Sequence, residues 1–376
     1  MTVIAHINTV PNGSTGGIMM KEHRELLAAG EDSFAFWGRG RAGEGDRELR
    51  FATDAEVKLD ALQTRFDGKA GFHSKAATKR LLERLDEINP DVVHLHNLHG
   101  YYVNIEMLFE WLAAHDCKVE WTLHDCWAFT GHCAYFTYAK CAQWKTQCAH
   151  IKQHCPQLDT YPKTYSRTSC SWNFDQKKRL FNLVPTERLK LITPSQWLAN
   201  LVGESFLAKY PVEVRHNTID TAVFKPTPSD FRERYGIGDR FMVLGVACPW
   251  NERKGLNDFL RLASELDFNE YAIVLVGLND KQLQNCPANV VGIKRTDSRE
   301  DLASIYTAAD VLFNPTNEDN YPSTLLEAQA CGTPVITYNV GGCAEALSLA
   351  SSAAVSSFNE AIALIERLNL TPNGNE

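Results

Sequence analysis

The sequence predicts an α/β protein made of two doubly wound domains. Short apolar strands alternate with helix-length segments along the 376 residues, and the alternation runs twice, before and after a Pro- and Thr-rich break at 221–230. Strands that alternate with helices favour parallel sheets covered by helices on both faces. Ligands bind beyond the carboxyl ends of such strands, so we expect a site in a cleft between two facing domains.

The N-terminal domain is predicted to span residues 1–222, with a Cys-rich insert at about 126–170. Period-two or continuously apolar segments predict its strands at 3–8, 33–37, 91–95, 118–123, 189–193 and 212–215. Amphipathic segments and their stop signals predict helices at 18–29, 78–88, 105–115 and 197–207.

The C-terminal domain is predicted to span residues 223–355. Its strands are expected at 241–246, 272–276, 311–314 and 335–338, and its helices at 256–266, 299–308 and 323–331. The last segment, 356–376, contains an amphipathic helix at 358–368.

Composition excludes several classes of protein. Apolar residues make up 44% and charged residues 22% of the chain, as in soluble globular proteins. No apolar run approaches the roughly 20 residues of a membrane span, and the start of the chain lacks the features of a signal peptide. We therefore expect a cytoplasmic protein. The formal net charge of -8 argues against a nucleic-acid partner.

Two carboxylates eight residues apart form the most informative motif. Asp319 stands in a predicted loop, Glu327 lies in the helix that follows, and a Gly-Thr-Pro turn then leads into an apolar strand. This arrangement can hold a sugar nucleotide. One carboxylate would meet the sugar, the helix N-terminus the phosphates, and the second carboxylate the ribose hydroxyls.

Two further segments follow predicted strands and contain residues that could bind a phosphate group. Gly16 and Gly17 follow the first strand, where a glycine backbone can approach a ligand, although a tight turn explains them equally well. Arg253 and Lys254 precede Gly255 at the start of a helix and could neutralise a diphosphate. The alternative for this pair is a solvated basic turn.

Histidines stand at the ends of two predicted strands. His124 precedes Asp125 at the carboxyl end of a strand, where it could hydrogen-bond a sugar hydroxyl or serve only to cap the strand. His94 and His96 alternate along the preceding strand, so they should lie on one face. For these two we expect a local hydrogen-bonding role.

A cysteine cluster occupies the insert. Four of the eleven cysteines fall within 23 residues, at Cys133, Cys141, Cys148 and Cys155. Three histidines stand among them, namely His132, His150 and His154. Four thiolates can enclose a structural zinc ion. Free thiols packed in a lid and disulfides are the other interpretations.

Cations and aromatic side chains are combined just after the insert. They are Trp172, Phe174, Lys177, Lys178, Arg179 and Phe181. Such a segment could rest on an anionic membrane surface. The simpler interpretation is a helix with one solvated basic face.

Together these residues resemble glycosyltransferase family 4, the retaining transferases with the GT-B fold of two facing Rossmann-like domains. The resemblance runs from Gly16 to Gly342, and its most specific part is the Asp319–Glu327 motif with the Ala-Cys-Gly-Thr-Pro-Val that follows. The Cys-rich insert is similar to that of transferases that build bacterial exopolysaccharides of the colanic-acid type.

The resemblance implies transfer of a sugar from a UDP- or GDP-sugar to a glycan or polyprenyl-linked acceptor, with retention and without a metal cofactor. The setting would be bacterial surface polysaccharide synthesis, in the cytoplasm or peripherally at the inner face of the membrane. The N-terminal domain would bind the acceptor, and residues 356–376 would pack back on it.

Site roles carry over by position. Glu327 would bind the ribose, Asp319 the donor sugar, and His124 the sugar or its developing charge. Arg253 and Lys254 would hold the diphosphate. Other donor contacts would come from Gly16, Gly17, Glu318, Asn320, Ser323 and Thr324.

Two departures from the family pattern leave alternatives open. The first carboxylate is Asp319 where the family has glutamate, and Glu318 precedes it, so either side chain could face the sugar. Cys248 and Pro249 stand where relatives often carry an arginine, which Arg253 would replace. A nucleotide-sugar 2-epimerase and a non-catalytic sugar-nucleotide or glycan-binding partner of a polysaccharide assembly complex are the competing functions.

Overall fold

The computed structural model of the chain describes residues 1–41, 43, 45–148 and 155–370. The chain divides into two compact units, unit 1 (Met1–His216) and unit 2 (Asn217–Glu376). The division lies close to the predicted boundary between residues 222 and 223. Each unit is an α/β domain around its own parallel sheet, as the alternating pattern predicted.

Unit 1 contains a seven-stranded sheet in the order β3-β2-β1-β4-β5-β6-β7, with every adjacent pair parallel. Its strands are β1 (Val3–Asn8), β2 (Asp32–Trp37), β3 (Glu48–Arg50), β4 (Val92–Leu95), β5 (Lys118–Thr122), β6 (Leu189–Thr193) and β7 (Val212–Val214). Its helices are α1 (Gly13–Ala28), α2 (Asp54–Asp67), α3 (Lys75–Ile88), α4 (Ile105–Ala114), α5 (Ser169–Leu180) and α6 (Gln196–Gly203).

Unit 1 differs from the prediction at α1 and α2. Helix α1 begins at Gly13, so Gly16 and Gly17 lie inside the helix and not in a loop before it. Helix α2 was not predicted, although its signals are local. Thr53 and Glu56 form a capping box at its start, and Gly68 ends it in the left-handed conformation.

Unit 2 contains a six-stranded parallel sheet in the order β10-β9-β8-β11-β12-β13. Its strands are β8 (Phe241–Val246), β9 (Tyr271–Val276), β10 (Val290–Ile293), β11 (Val311–Asn314), β12 (Val335–Tyr338) and β13 (Ala353–Val355). Its helices are α7 (Phe231–Arg234), α8 (Leu256–Glu265), α9 (Asp280–Gln284), α10 (Arg299–Ala308), α11 (Ser323–Ala330) and α12 (Phe358–Leu370).

Both faces of the unit 2 sheet are buried. Met242 and Leu244 of β8 belong to one apolar cluster, and Val243 between them belongs to another, since successive side chains of a strand point to opposite faces. The strands therefore read as continuous apolar runs, which is typical of parallel sheets with helices on both sides.

Helix α12 packs within unit 2. Phe358, Ala361 and Ile365 share one buried stripe at helical spacing and join the apolar cluster that contains Val243 and Phe259. The resemblance had implied that residues 356–376 pack on the N-terminal domain. For the described residues of α12 the structure instead assigns the buried face to unit 2, because its apolar stripe covers that sheet.

The cations and aromatic residues considered for membrane contact lie on or next to helix α5. Within the described ranges, no helix combines the length and the apolar character that crossing a bilayer requires. Lys177 of α5 is buried, whereas Lys178 and Arg179 are exposed and Trp172 is 38% exposed. The solvated basic face of α5 therefore lacks Lys177, which we predicted to belong to it.

Candidate functional site

The candidate site of unit 2 lies at the point where the strand order reverses. Strands β8 and β11 are neighbours, and the chain leaves them towards opposite edges of the sheet. Arg253 and Lys254 follow β8, and Asp319 follows β11. Crevices beyond the carboxyl ends of strands at such a reversal are the usual ligand sites of open α/β sheets. The fold thus brings together two segments about 65 residues apart.

Two cations converge on one carboxylate there. Lys254 Nζ donates to Asp319 Oδ2 at 2.5 Å, and Arg253 Nη1 lies 3.9 Å from the same oxygen. Arg253 Nη1 also donates to the Glu318 carbonyl at 2.6 Å. Burial raises the pKa of Asp319, but the two cations outweigh it and hold the pKa below its ordinary value. Asp319 is therefore a carboxylate at neutral pH.

Close backbone contacts at two glycines fix the loops that carry Lys254 and Asp319. Gly255 has φ +74°, and a Cβ there would lie 2.0 Å from the Pro315 carbonyl oxygen. Gly341 has φ +58°, and its Cβ would lie 1.9 Å from the Asp319 carbonyl oxygen. Both positions therefore require glycine, because any side chain would push the cation loop or the Asp319 loop out of place.

Helix α11 begins beside the cation pair. No side chain caps its first turn, which starts after Pro322, so the positive end of the helix is available to an anion. Glu327, one turn further on, accepts hydrogen bonds from the Tyr306 hydroxyl at 3.0 Å and from the Ser323 hydroxyl. Burial raises the pKa of Glu327 despite these donors. Tyr306 was not anticipated from the sequence.

The residues around Asp319 differ in exposure. Glu318 is fully buried and Asn320 is 3% exposed, whereas the Asp319 side chain is 11% exposed and bonded to Lys254. The Asp319 Oδ1 atom accepts from the Asn320 amide at 2.9 Å. The Asp319 carboxylate is joined to the cation pair, and the Glu318 carbonyl accepts from Arg253.

Unit 1 gathers its candidate residues at the carboxyl ends of β1, β4 and β5, which are adjacent in its sheet. Gly16 packs against the turn after β1, and a Cβ there would lie 2.5 Å from the Pro11 carbonyl carbon. Gly17 has no heavy atom within 4 Å of a Cβ. The tight turn therefore explains why position 16 is a glycine. At Gly17 there is space in which a ligand could approach the backbone.

His124 follows β5 and faces a second histidine. Its Nε2 lies 3.2 Å from Nδ1 of His96, and burial lowers the pKa of His124 to about 4. His124 is consequently neutral at physiological pH. His94 and His96 share a face, as their spacing predicted, with ring centroids 4.3 Å apart.

A contact between a histidine and an aspartate next to His124 was not singled out from the sequence. His99 Nε2 lies 2.8 Å from Asp125 Oδ2, and Nδ1 of the same ring lies 3.1 Å from the Tyr161 hydroxyl. Asp125 also accepts from the Trp127 amide at 2.9 Å. The contact between His99 and Asp125 could have been predicted, because the two residues follow neighbouring strands. Tyr161 lies in the insert, and no sequence pattern indicated its contact with His99.

The four predicted cysteines of the insert line one small cavity, together with His132. All eleven cysteines are free thiols. Cys155 accepts hydrogen bonds from the Cys133 and Cys170 thiols, which holds its pKa well below the usual range. The Gly131 amide donates to Cys148 Sγ at 3.1 Å, as amides do to metal-bound thiolates. Thiolates are ligands that zinc prefers, but the described cysteines do not form a group of three or more whose sulfur atoms all lie within 4.8 Å of one another. His150 and His154 lie outside the described residues.

A buried cation accompanies this cluster. Lys177 is 1% exposed, and its Nζ donates to the carbonyls of Trp127 and Thr130 at 2.9 and 3.0 Å. The ammonium lies 3.3 Å from the centroid of the Trp127 ring. Burial lowers the pKa of Lys177 to about 7. Its hydrogen bonds tie α5 to the loop that precedes the cysteines.

The chain is similar in sequence to known glycosyltransferases. Residues 230–374 match the family "Glycosyl transferases group 1". The chain is 24% identical over 381 residues to the putative colanic acid biosynthesis glycosyl transferase WcaC of Escherichia coli K12, covering 95% of this chain and 87% of that relative. It is 30% identical over 146 residues to a D-inositol 3-phosphate glycosyltransferase of Mycobacterium sp. strain KMS, covering 35% and 32%.

Solved structures share the fold across both units. Sucrose-phosphate synthase from Thermosynechococcus elongatus has a TM-score of 0.71 at 15% identity and covers 99% of this chain and 90% of its own. Anabaena Alr3699/HepE, solved in complex with UDP-glucose, has a TM-score of 0.61 at 13% identity and covers 98% and 89%. Residues 230–374 therefore match a group 1 glycosyltransferase domain in sequence, and the fold of the chain is the GT-B fold of these solved structures.

Proposed function

We propose that the protein is a retaining hexosyltransferase that moves a sugar from a nucleotide diphosphate sugar to a glycan or lipid-linked acceptor. The single observation that carries the proposal is the convergence of Arg253 and Lys254 on Asp319 beside the uncapped start of α11. Two cations and a helix N-terminus form a receptor for a diphosphate, and the carboxylate suits sugar hydroxyls.

The chemistry of the leaving group follows from these charges. The bond between the anomeric carbon and the β-phosphate oxygen breaks, and negative charge grows on the diphosphate. Arg253, Lys254 and the first-turn amides of α11 stabilise that charge, which replaces the task of a divalent metal.

Retention follows if attack and departure occur on one face of the sugar. The acceptor oxygen bonds to the anomeric carbon, and its proton passes to the departing phosphate oxygen, so that no side chain becomes glycosylated. Trapping of a glycosylated side chain by mass spectrometry would contradict this mechanism.

Glu327 is the proposed ligand of the nucleotide ribose. Its carboxylate accepts from Tyr306 and Ser323, which orient it, and further lone pairs remain for two vicinal hydroxyls. UDP- and GDP-sugars share that ribose, so the assignment covers both. The UDP-glucose complex of Anabaena HepE supports UDP as the first nucleotide to test.

The acceptor and the biological setting rest on the relative named for colanic acid biosynthesis. We assign the acceptor to unit 1, with His124, which lies beyond β5, positioned to contact the donor sugar. The setting would be bacterial surface polysaccharide synthesis in the cytoplasm, with peripheral contact to the inner membrane through the exposed cations of α5, among them Lys178 and Arg179.

The cysteine cavity is proposed to hold one structural zinc ion, with Cys133, Cys141, Cys148 and Cys155 as ligands. The supporting observations are the shared cavity and the amide donated to Cys148. Zinc there would brace a long insert that has little regular structure. Metal analysis of Cys148→Ser against wild type tests the assignment, since the variant should lose one equivalent.

The function is tested by incubating purified protein with UDP- and GDP-sugars and with glycan or polyprenyl-linked acceptors. Transfer should appear with one donor and should keep the anomeric configuration, as NMR of the product would show. Glu327→Ala should abolish transfer while the variant remains folded. Glu265→Ala is the matched control, because Glu265 is a helical glutamate whose partner is the exposed Arg261.

The outcomes separate the candidate functions. A donor converted to its 2-epimer without an acceptor would indicate an epimerase. Donor binding by thermal shift without turnover of any donor would indicate a non-catalytic binding partner. Inversion at the anomeric carbon would contradict retention and leave the transferase assignment standing.

A further inference from the structure

Three histidines and a glutamate converge inside unit 1, next to His124. His6 of β1 is the register partner of His94 on β4, His96 follows β4, and Glu22 comes from α1. One ligand atom from each residue lies within 4.8 Å of all the others. The ring centroids of His6 and His94 are 5.3 Å apart. Neighbouring strands and the covering helix thus build one compact donor set.

Several nitrogens in this group have no hydrogen-bond partner. His6 is 1% exposed, and neither of its ring nitrogens is bonded. His96 is also 1% exposed, and its Nε2 is unbonded. Buried polar atoms are nearly always paired in folded proteins, so three such atoms beside a carboxylate call for an additional partner. A metal cation can satisfy imidazole lone pairs and a carboxylate together.

The hydrogen bonds of His94 and His96 leave the other nitrogen of each ring facing Glu22. His94 Nε2 lies 2.8 Å from the Thr122 hydroxyl, and His96 Nδ1 lies 3.2 Å from His124. The opposite nitrogens, His94 Nδ1 and His96 Nε2, lie 3.2 and 3.9 Å from Glu22 Oε2. Metal-binding histidines are held in this way, with one nitrogen fixed by the protein and the other directed at the ion.

We propose that His6, Glu22, His94 and His96 bind one divalent first-row transition cation, with zinc as the probe. Three imidazole nitrogens and one carboxylate oxygen form a ligand set that such ions prefer, and that calcium and magnesium do not. The site is distinct from the cysteine cavity and goes beyond the proposed transferase function.

The surroundings allow an ion to enter. A cavity of about 410 Å³ is lined by His6, Glu22 and His94, so an ion has a path and room for a water ligand. Arg215 Nη1 lies 3.9 Å from Glu22 Oε1, the carboxylate oxygen turned away from the histidines.

His96 would connect a bound ion to His124, because its Nδ1 atom lies 3.2 Å from His124 Nε2.

The experiment titrates zinc into full-length protein stripped with a chelator, and counts bound equivalents by elemental analysis. His6→Phe removes both unpartnered nitrogens at similar volume, so it should bind one equivalent fewer than wild type and show no zinc-dependent rise in melting temperature through this site. His115→Gln is the matched control, because His115 is a unit 1 histidine stacked on Trp111 outside the cluster. It should match wild type.

Cobalt distinguishes this site from the cysteine cavity. The equivalent lost in His6→Phe should carry the weak visible bands of nitrogen and oxygen ligation without thiolate charge transfer. If His6→Phe does not fold, Glu22→Gln serves instead and should weaken zinc binding at least tenfold. Equal zinc stoichiometry and affinity in wild type and in the folded variant would overturn the proposal, as would a lost equivalent with a thiolate spectrum.

Discussion

Two lysines of this protein, Lys254 and Lys177, use their charges differently. The side chain of Lys254 is 21% exposed and pairs with Asp319, whereas Lys177 is 1% exposed and donates to the carbonyls of Trp127 and Thr130. A carboxylate partner at a partly open site can be exchanged for an anionic ligand. Two backbone carbonyls in a closed site cannot, so the charge of Lys177 serves the fold and that of Lys254 is available to a substrate.

The largest expected effect comes from Lys254→Ala. Loss of one preorganised cation at a developing diphosphate should lower the transfer rate by about 10²- to 10³-fold. The free energy of unfolding should fall by only about 1 kcal/mol, because Arg253 still faces Asp319. Steady-state kinetics and denaturant unfolding measure the two quantities.

Lys294→Ala is the matched control for that comparison. Lys294 also pairs with an aspartate at 2.5 Å in unit 2, but its side chain is 60% exposed. Its removal should leave transfer unchanged. Wild-type turnover in Lys254→Ala would show that Lys254 is not part of the site. The two lysines would then not differ in their role in transfer.

Lys177→Met should show the opposite pattern. Two buried carbonyls lose their donor and the Trp127 ring loses its cation, so the free energy of unfolding should fall by about 2–4 kcal/mol. Lys178→Met, which alters the exposed neighbour, should change it by less than about 0.5 kcal/mol. Equal denaturation midpoints for the two variants would show that the charge of Lys177 is not structural.

The pair around Asp319 should respond to pH. Because the pKa of Asp319 is lowered in the fold, its contribution to stability is present above the ordinary value of 3.8 and is lost as pH falls through the folded value. Thermal unfolding should therefore show wild type more stable than Asp319→Asn by about 1 kcal/mol at pH 6, with the difference shrinking below pH 4. Asp280→Asn, at the exposed pair with Lys294, is the control variant. A constant difference for Asp319→Asn would refute the pairing.

The smallest effect is expected for Tyr306→Phe. Loss of the hydroxyl that donates to Glu327 should raise the already raised pKa of that carboxyl further. Binding that needs the carboxylate is lost as pH falls through this pKa, so donor affinity should drop about threefold more at pH 5 than at pH 8. Calorimetry at both pH values measures the donor affinity, and Tyr235→Phe is the exposed control. An equal loss of affinity at both pH values would show that Glu327 does not take part in nucleotide binding.

The elements that the sequence predicted well are those with local signals. Strands β1, β6, β8, β11 and β12 match the predicted bounds, because continuous apolar runs in parallel sheets are visible residue by residue. Helix α1 was predicted to start five residues late, since glycines near a helix start resemble a loop. The burial of Lys177 could have been found from its spacing, because Cys170, Asn173 and Phe174 share its buried face at helical intervals.

The sequence by itself determined the parallel α/β class and the local motif in which α11 starts near Asp319 and places Glu327 one turn inside. These features depend on contacts between residues close in the chain, whose geometry the backbone fixes. Only the tertiary structure decided that Lys254 pairs with Asp319, that Lys177 is buried beside Trp127, and that His6, Glu22, His94 and His96 converge. Such contacts join residues far apart in sequence, and strand order and helix packing alone set their distances.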